Sequence, residues 1–143
     1  QCPAFVLDVG TGSGVLAMVA AHLGASTVLA TDIDSVAREG ARANIHRNQL
    51  SEVISISEAP PPNTAADLVV ANLYLGVLTV LIPELVVATR PGGLCVISGI
   101  TIDGEGVMVQ LMEEHCCILE RRVERDGWLG LAFRRRADPK ENG

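Results

Sequence analysis

A doubly wound α/β sheet, mostly parallel and closed by a C-terminal antiparallel hairpin, is the fold this sequence predicts. Three features predict it. Short aliphatic runs alternate with segments of helical period, the pattern of a parallel sheet covered on both faces. A glycine-dense turn, Gly10 to Gly14, follows the first aliphatic run. Near the end, Asp126-Gly127 joins two alternating runs, the strongest short-range signal for a hairpin. The 143 residues, 48% of them apolar, have the length of one domain whose core needs no disulfide or metal staple.

Taken in order, Ala4 to Val9 reads as a buried strand and Gly14 to Leu23 as a helix that is apolar almost all round. Thr27 to Thr31 is a second strand. Asp34 caps a helix that runs to about Asn48, with Arg38, Arg42 and Arg47 on its wet side. Val53 to Ser57 alternates, which places it near a sheet edge. Pro60-Pro61-Pro62 forces an extended loop, and Ala66 to Ala71 is a fourth strand of aliphatic residues. A helix from about Gly76 to Thr89 stops at Pro91-Gly92-Gly93, read as a turn before a fifth strand, Leu94 to Ser98. A helix from about Glu105 to Cys116 precedes the hairpin strands Ile118 to Arg125 and Trp128 to Arg135. Residues 137–143 read as a frayed polar tail.

Composition narrows the function. The net charge is −6, and there are 14 glycines against four aromatics, Phe5, Tyr74, Trp128 and Phe133. Nucleic-acid modules stack bases on aromatic rings and carry a basic surface, so direct nucleic-acid binding is not expected. Cys2, Cys95, Cys116 and Cys117 have no zinc-type spacing and read as reduced thiols. The uncharged stretches Val9 to Thr31 and Leu68 to Ile82 are broken by glycines and hydroxyls or by Asn72 and Pro83, so neither is a membrane span. No secretory signal opens the chain, and Gln1-Cys2-Pro3 runs directly into a strand, which leads us to expect a piece of something longer.

The chemistry is concentrated in Asp8-Val9-Gly10-Thr11-Gly12-Ser13-Gly14, where the first strand turns into the first helix. Glycines there let the chain turn tightly and bring its amides against a ligand, in the crevice that doubly wound sheets form at the carboxyl ends of their strands. The dinucleotide spacing G-x-G-x-x-G is not met, because Val15 or Ala17 stands in the last position. That makes a nucleotide-dependent oxidoreductase the weaker reading. A second site is Ala71-Asn72-Leu73-Tyr74, at the end of the fourth strand beside the glycine turn. His22, His46 and His115 form no triad or metal pattern. Arg121, Arg122, Arg125 and Arg134 to Arg136 read as solvated strand faces and ends.

The run D-V-G-T-G-S-G resembles the first motif of class I S-adenosylmethionine-dependent methyltransferases. As a whole the chain is similar to the catalytic domain of the large-subunit ribosomal protein methyltransferases. Residues Val6 to Ala17, Ala30 to Asp34, Asp67 to Tyr74, Arg90 to Gly93 with Ser98-Gly99-Ile100, and Glu120-Arg121 with Gly127-Trp128 carry the likeness. The Asn-Leu-Tyr and Ser-Gly-Ile segments and the late Gly-Trp are the family-specific part. The resemblance implies a Rossmann-like class I methyltransferase sheet over residues 1–136, lacking the family's N-terminal substrate domain. It implies S-adenosyl-L-methionine as cofactor and S-adenosyl-L-homocysteine as product. Asp8, Gly10, Thr11, Gly12, Gly14, Asp32, Ile33, Ser57 and Asn72 are then the cofactor residues, with Asp32 on the ribose hydroxyls and Ser57-Glu58 near the adenine. Asn72 orients the acceptor nitrogen and Tyr74 walls its pocket, while Leu75, where the family places a small residue, narrows it. Ser35 replaces a common proline.

The implied activity is amino-group methylation of a protein, a ribosomal protein foremost, by a cytoplasmic enzyme without metal. Other acceptors, and a noncatalytic module that only binds the cofactor, remain as alternatives.

Overall fold

The computed structural model describes residues 2–137. Its elements run β1 (Phe5–Val9), α1 (Val15–His22), β2 (Thr27–Thr31), α2 (Ser35–Arg47), β3 (Ile54–Ser57), β4 (Ala66–Asn72), α3 (Leu75–Ala88), β5 (Thr89–Thr101), α4 (Glu105–Glu114), β6 (Cys117–Arg125) and β7 (Trp128–Arg135). One seven-stranded sheet holds them in the order β3-β2-β1-β4-β5-β7-β6. β1 to β5 are parallel, and β7 lies antiparallel between β5 and β6. The expected doubly wound sheet with a terminal hairpin is therefore present, and the alternating third strand is the edge that its pattern predicted. The tail expected from residue 137 lies, apart from Ala137, outside the described residues.

Two apolar layers flank the sheet. On one face, Ala17 of α1 and Ala41 and Ile45 of α2 pack on Val6, Val28, Ala30 and Ile54. The small residues let both helices approach β1, β2 and β3 closely. On the other face, α3 and α4 bring Leu78, Ile82, Leu85, Met108 and Met112 onto Leu7, Val69, Ile97, Leu131 and Phe133. Asp34 caps α2 as expected, its Oδ1 accepting from the Val36 amide at 2.9 Å.

One boundary differs from the sequence reading. Pro91-Gly92-Gly93 does not end before the fifth strand but sits inside it, since β5 begins at Thr89. The register explains this: Ala66 pairs with Thr89 and Leu68 with Leu94, so residues 90–93 bulge out opposite the single residue Asp67. The proline and the positive φ of Gly92 serve that bulge. Asp67 fastens it, with Oδ1 accepting from Arg90 Nε at 2.6 Å and Oδ2 from the Phe5 amide at 2.8 Å. Those two donors hold its carboxyl below the ordinary value.

Candidate functional site

The β1–α1 turn is shaped by a carboxylate beneath it. Asp8 is 1% exposed, and its Oδ2 accepts from the Thr11 hydroxyl at 2.6 Å and the Ala17 amide at 3.1 Å. Ala17 lies in the first turn of α1, whose N-cap Gly14 offers no side chain, so a strand residue does the capping. Burial pushes the Asp8 carboxyl up from its ordinary value, against the opposing effect of the Thr11 and Ala17 hydrogen bonds. From β2, the Thr31 carbonyl accepts from the amides of both Gly10 and Thr11 at 2.9 Å. At Gly10, φ is +72° and an added Cβ would stand 2.6 Å from Leu73 Cδ2. Glycine is required there both by conformation and by the close approach of the β4–α3 segment.

Asp32 leaves the end of β2 half-buried. Its Oδ2 accepts from the Gly12 amide at 3.0 Å and its Oδ1 from the Asp34 amide at 3.0 Å. A carboxylate offers about four lone-pair positions, so two such bonds leave room for further donors. Arg38 steadies the bend by donating to the Asp32 carbonyl at 2.8 Å.

Two cavities open at the carboxyl ends of the strands. The first, about 280 Å³, is lined by Val9, Gly10, Asp32, Ile33, Glu58, Ala59 and Pro60 on one side and by Leu73, Val77, Leu81 and Glu84 on the other. The second, about 560 Å³, is lined by Asn72, Leu73, Tyr74, Ser98, Gly99, Trp128 and Leu129. Leu73 is shared by both, and its amide is fixed to the Ser98 carbonyl at 3.1 Å. Asn72 and Ser98 are paired neighbours on β4 and β5. Gly99, at φ +86°, lets this corner close, because an added Cβ would stand 2.5 Å from Asn72 Oδ1 and 2.8 Å from the Leu73 carbonyl.

The residues singled out from the sequence thus fall into four groups. Gly10, Asp32 and Ile33 line the first cavity, while Asn72 and Tyr74 line the second. Asp8 and Thr11 are buried, with their polar side-chain atoms bonded to each other beneath the turn, so they shape it from inside. Gly12 meets the cavity floor through its bond to Asp32, and Gly14 backs onto Ala41 and Ile45 of α2. Ser57 lines neither cavity; its hydroxyl donates to the Ala59 carbonyl at 2.8 Å and so sets the course of Glu58 to Pro60, which do.

Leu75 departs from expectation, for it packs on the core against Gly104 instead of narrowing the second cavity. Val77, Leu81 and Glu84 escaped the sequence reading because only the docking of α3 brings them to the cavity. Their spacing of four and three residues, one helical face, was the available signal. Trp128 belongs to the family-specific Gly-Trp pair, and pairing of β7 with β5 is what carries it to the cavity of Asn72.

Among the described residues no disulfide and no cluster of potential metal ligands is formed. The four cysteines are unbridged, and burial pushes the Cys95 thiol up to about 12. No group of three or more potential metal ligands occurs there, and no helix is long and apolar enough to cross a membrane.

A family model described as ribosomal protein L11 methyltransferase (PrmA) matches residues 1–136. A ribosomal protein L11 methyltransferase of Pseudomonas paraeruginosa is 41% identical over 135 residues, which are 93% of this chain and 46% of that protein. One from Listeria monocytogenes is 33% identical over 134 residues, 91% of this chain and 43% of that protein. The chain spans about half the length of these curated relatives. Among solved structures, a ribosomal protein L11 methylase from Lactobacillus delbrueckii subsp. bulgaricus superposes with a TM-score of 0.87 at 34% identity, covering 94% of this chain and 71% of that one. An RNA methyltransferase from Salinibacter ruber, in complex with S-adenosyl-L-homocysteine, shares the fold with a TM-score of 0.75 at 19% identity, covering 97% of this chain and 85% of that one.

Two expected outcomes test this geometry. Gly99→Ala would set a methyl against Asn72 and force an unfavourable φ, so urea unfolding should show a loss of about 1–3 kcal/mol. An unchanged midpoint would mean the corner is slack. Because the Asp8 carboxyl is raised, the folded chain retains a proton that the unfolded chain has lost. Between the ordinary carboxyl value, about 4, and the raised one, wild-type stability relative to Asp8→Asn should therefore fall as pH rises, then level off. A flat difference across that window would show Asp8 to be unperturbed.

Proposed function

Because the chain belongs to the ribosomal protein L11 methyltransferase family, we propose that it binds S-adenosyl-L-methionine and transfers the methyl group to an amino group of a protein, a ribosomal protein being the acceptor its relatives' name specifies. The observation that carries this is the meeting of two cavities at one residue: Leu73 walls both the cavity that holds Gly10 and Asp32 and the cavity that holds Asn72.

The first cavity suits the adenosine part of the cofactor. Ile33, Leu73, Val77 and Leu81 offer apolar walls for a flat ring, and the free lone pairs of Asp32 can accept from ribose hydroxyls. The glycine turn brings backbone, not side chain, to the same wall. In this reading Asp8, Thr11 and Gly14 hold the turn, Gly12 and Ser57 set its neighbours, and Gly10, Asp32 and Ile33 face the ligand. When bound, the cofactor supplies a methyl group already activated on a sulfonium sulfur.

The chain's own task is then to hold the acceptor in line with that methyl at short range. Asn72, beside the shared wall, accepts a hydrogen bond from the incoming nitrogen through Oδ1 and aims its lone pair. Tyr74 and Trp128 wall the approach. The amine has to arrive neutral, and a cavity lined by Leu73, Leu129 and two aromatic rings disfavours the ammonium form. Nothing in this scheme calls for nucleic acid or a membrane, and it places the protein in the cytoplasm, where ribosomal proteins are made.

Asp32→Ala should weaken S-adenosylmethionine binding by about tenfold to a hundredfold in calorimetry, on the scale of one or two charge-assisted hydrogen bonds lost. Unchanged affinity would overturn the cofactor site. Asn72→Ala should lower kcat of methyl transfer by about a hundredfold, as expected for a positioning group acting in the transition state. A full-rate variant would take Asn72 out of the mechanism.

A further inference from the structure

Three carboxylates line the first cavity, each carried by a different part of the fold. Asp32 leaves the end of β2, Glu58 stands in the loop between β3 and β4, and Glu84 lies in the third turn of α3. Glu84 follows Val77 and Leu81 along one helical face, so the docking that turns those apolar side chains to the cavity turns the carboxylate there as well. Glu58 is steered by its neighbour, because the Ser57 hydroxyl donates to the Ala59 carbonyl at 2.8 Å. Arg38 approaches the same wall, but its guanidinium donates to the carbonyls of Asp32 and Ile33, at 2.8 and 3.1 Å. The Asp32 carboxylate is left to the Gly12 and Asp34 amides.

Charge at this place distinguishes a methyl donor from its product. Methyl transfer breaks the bond between sulfur and methyl, leaves its electron pair on sulfur and makes the new bond with the nitrogen lone pair. The positive charge thereby passes to the acceptor amine, which sheds a proton to water. S-adenosyl-L-methionine therefore enters with one more positive charge than S-adenosyl-L-homocysteine carries away. Ribose hydrogen bonds to Asp32 and apolar contacts with Ile33, Leu73, Val77 and Leu81 are common to both ligands, so they hold donor and product alike. The methyl group aside, charge is the difference that the lining can sense.

We propose that Glu58 and Glu84 are specificity-determining residues for the methylation state of the cofactor: their carboxylates favour the sulfonium donor over the thioether product, which leaves once that attraction is lost. A cavity of about 280 Å³ is about 8 Å across, and at that range in water each carboxylate shifts the preference for a unit positive charge by about twofold. Both side chains are exposed, which keeps the effect on that scale and makes it depend on salt. The proposal rests on the methyltransferase reading above and adds to it which of the cofactor's two forms the site prefers.

Calorimetry on the chain with each ligand reads this preference without any turnover. Glu58→Gln with Glu84→Gln should weaken S-adenosylmethionine binding about fourfold and leave S-adenosylhomocysteine binding within about twofold of wild type, so the ratio of the two affinities falls. Retained product binding also shows that the variant is folded and its site intact. Asp32→Ala, in contrast, should weaken both ligands, as loss of a ribose contact does. A salt series on the wild type is an independent measurement that decides the matter even for a variant that fails to fold. Raising the ionic strength from about 0.01 M to about 1 M should lower the same ratio, because the screening length shrinks from about 30 Å to about 3 Å. A ratio that the double variant leaves unchanged, an equal loss for both ligands, or a ratio that salt does not lower overturns the proposal. Wild type that binds neither ligand overturns the methyltransferase reading instead, and is seen separately.

Discussion

The site depends on a carboxylate buried under a turn. A charged group taken from water is costly unless its lone pairs are filled, and Asp8 recovers part of that cost through the Thr11 hydroxyl and the Ala17 amide. The same two bonds fix the turn between β1 and α1, because one donor belongs to the turn and the other to the helix. Once the turn is fixed, the Thr31 carbonyl can receive both the Gly10 and Thr11 amides, which locks β2 to it, and the Gly12 amide reaches Asp32. A raised Asp8 carboxyl is the residual desolvation that this arrangement does not remove.

From that turn the remaining geometry follows by contact. Gly10 leaves space that Leu73 fills, and Leu73 is in turn tied to β5 by its amide. Asn72 therefore sits at a defined distance from the glycine turn without any bond between them. Parallel order places β1 and β4 side by side with their connections leaving in opposite directions, which opens the crevice at their carboxyl ends. Leu73 is the wall that the two neighbouring cavities share.

Much of this was legible in the residues. The turn announced itself because glycine density has few other causes, and Asp32 because it ends an aliphatic strand. Asp8 was legible as part of the motif but not in its role, since nothing in the sequence says that its side chain turns inward. Ser57 was placed one step short: the strand end was right, yet its hydroxyl bends the chain and the following residues line the cavity. Val77, Leu81 and Glu84 depend on how α3 docks, and a helix that is apolar nearly all round does not reveal which side it buries. Pro91-Gly92-Gly93 misled for a related reason, as turn chemistry looks the same in a loop and in a bulge within a strand.

Large rings normally serve the core, where each buries substantial area, and Phe133 does so at 0% exposure. Tyr74 and Trp128 do not, at 78% and 53% exposed, although only four aromatics exist in the chain. Both line the cavity of Asn72, Tyr74 as the N-cap of α3 just after β4 and Trp128 as the first residue of β7, which returns antiparallel beside β5. The terminal hairpin is thus more than a closing edge. It gives the cavity of Asn72 its outer wall, and through Leu129 on its opposite face it anchors that wall in the core. A ring exposed on one face of a strand whose next side chain is fully packed is held in place without being covered, which is the condition a surface needs if it is to receive a partner.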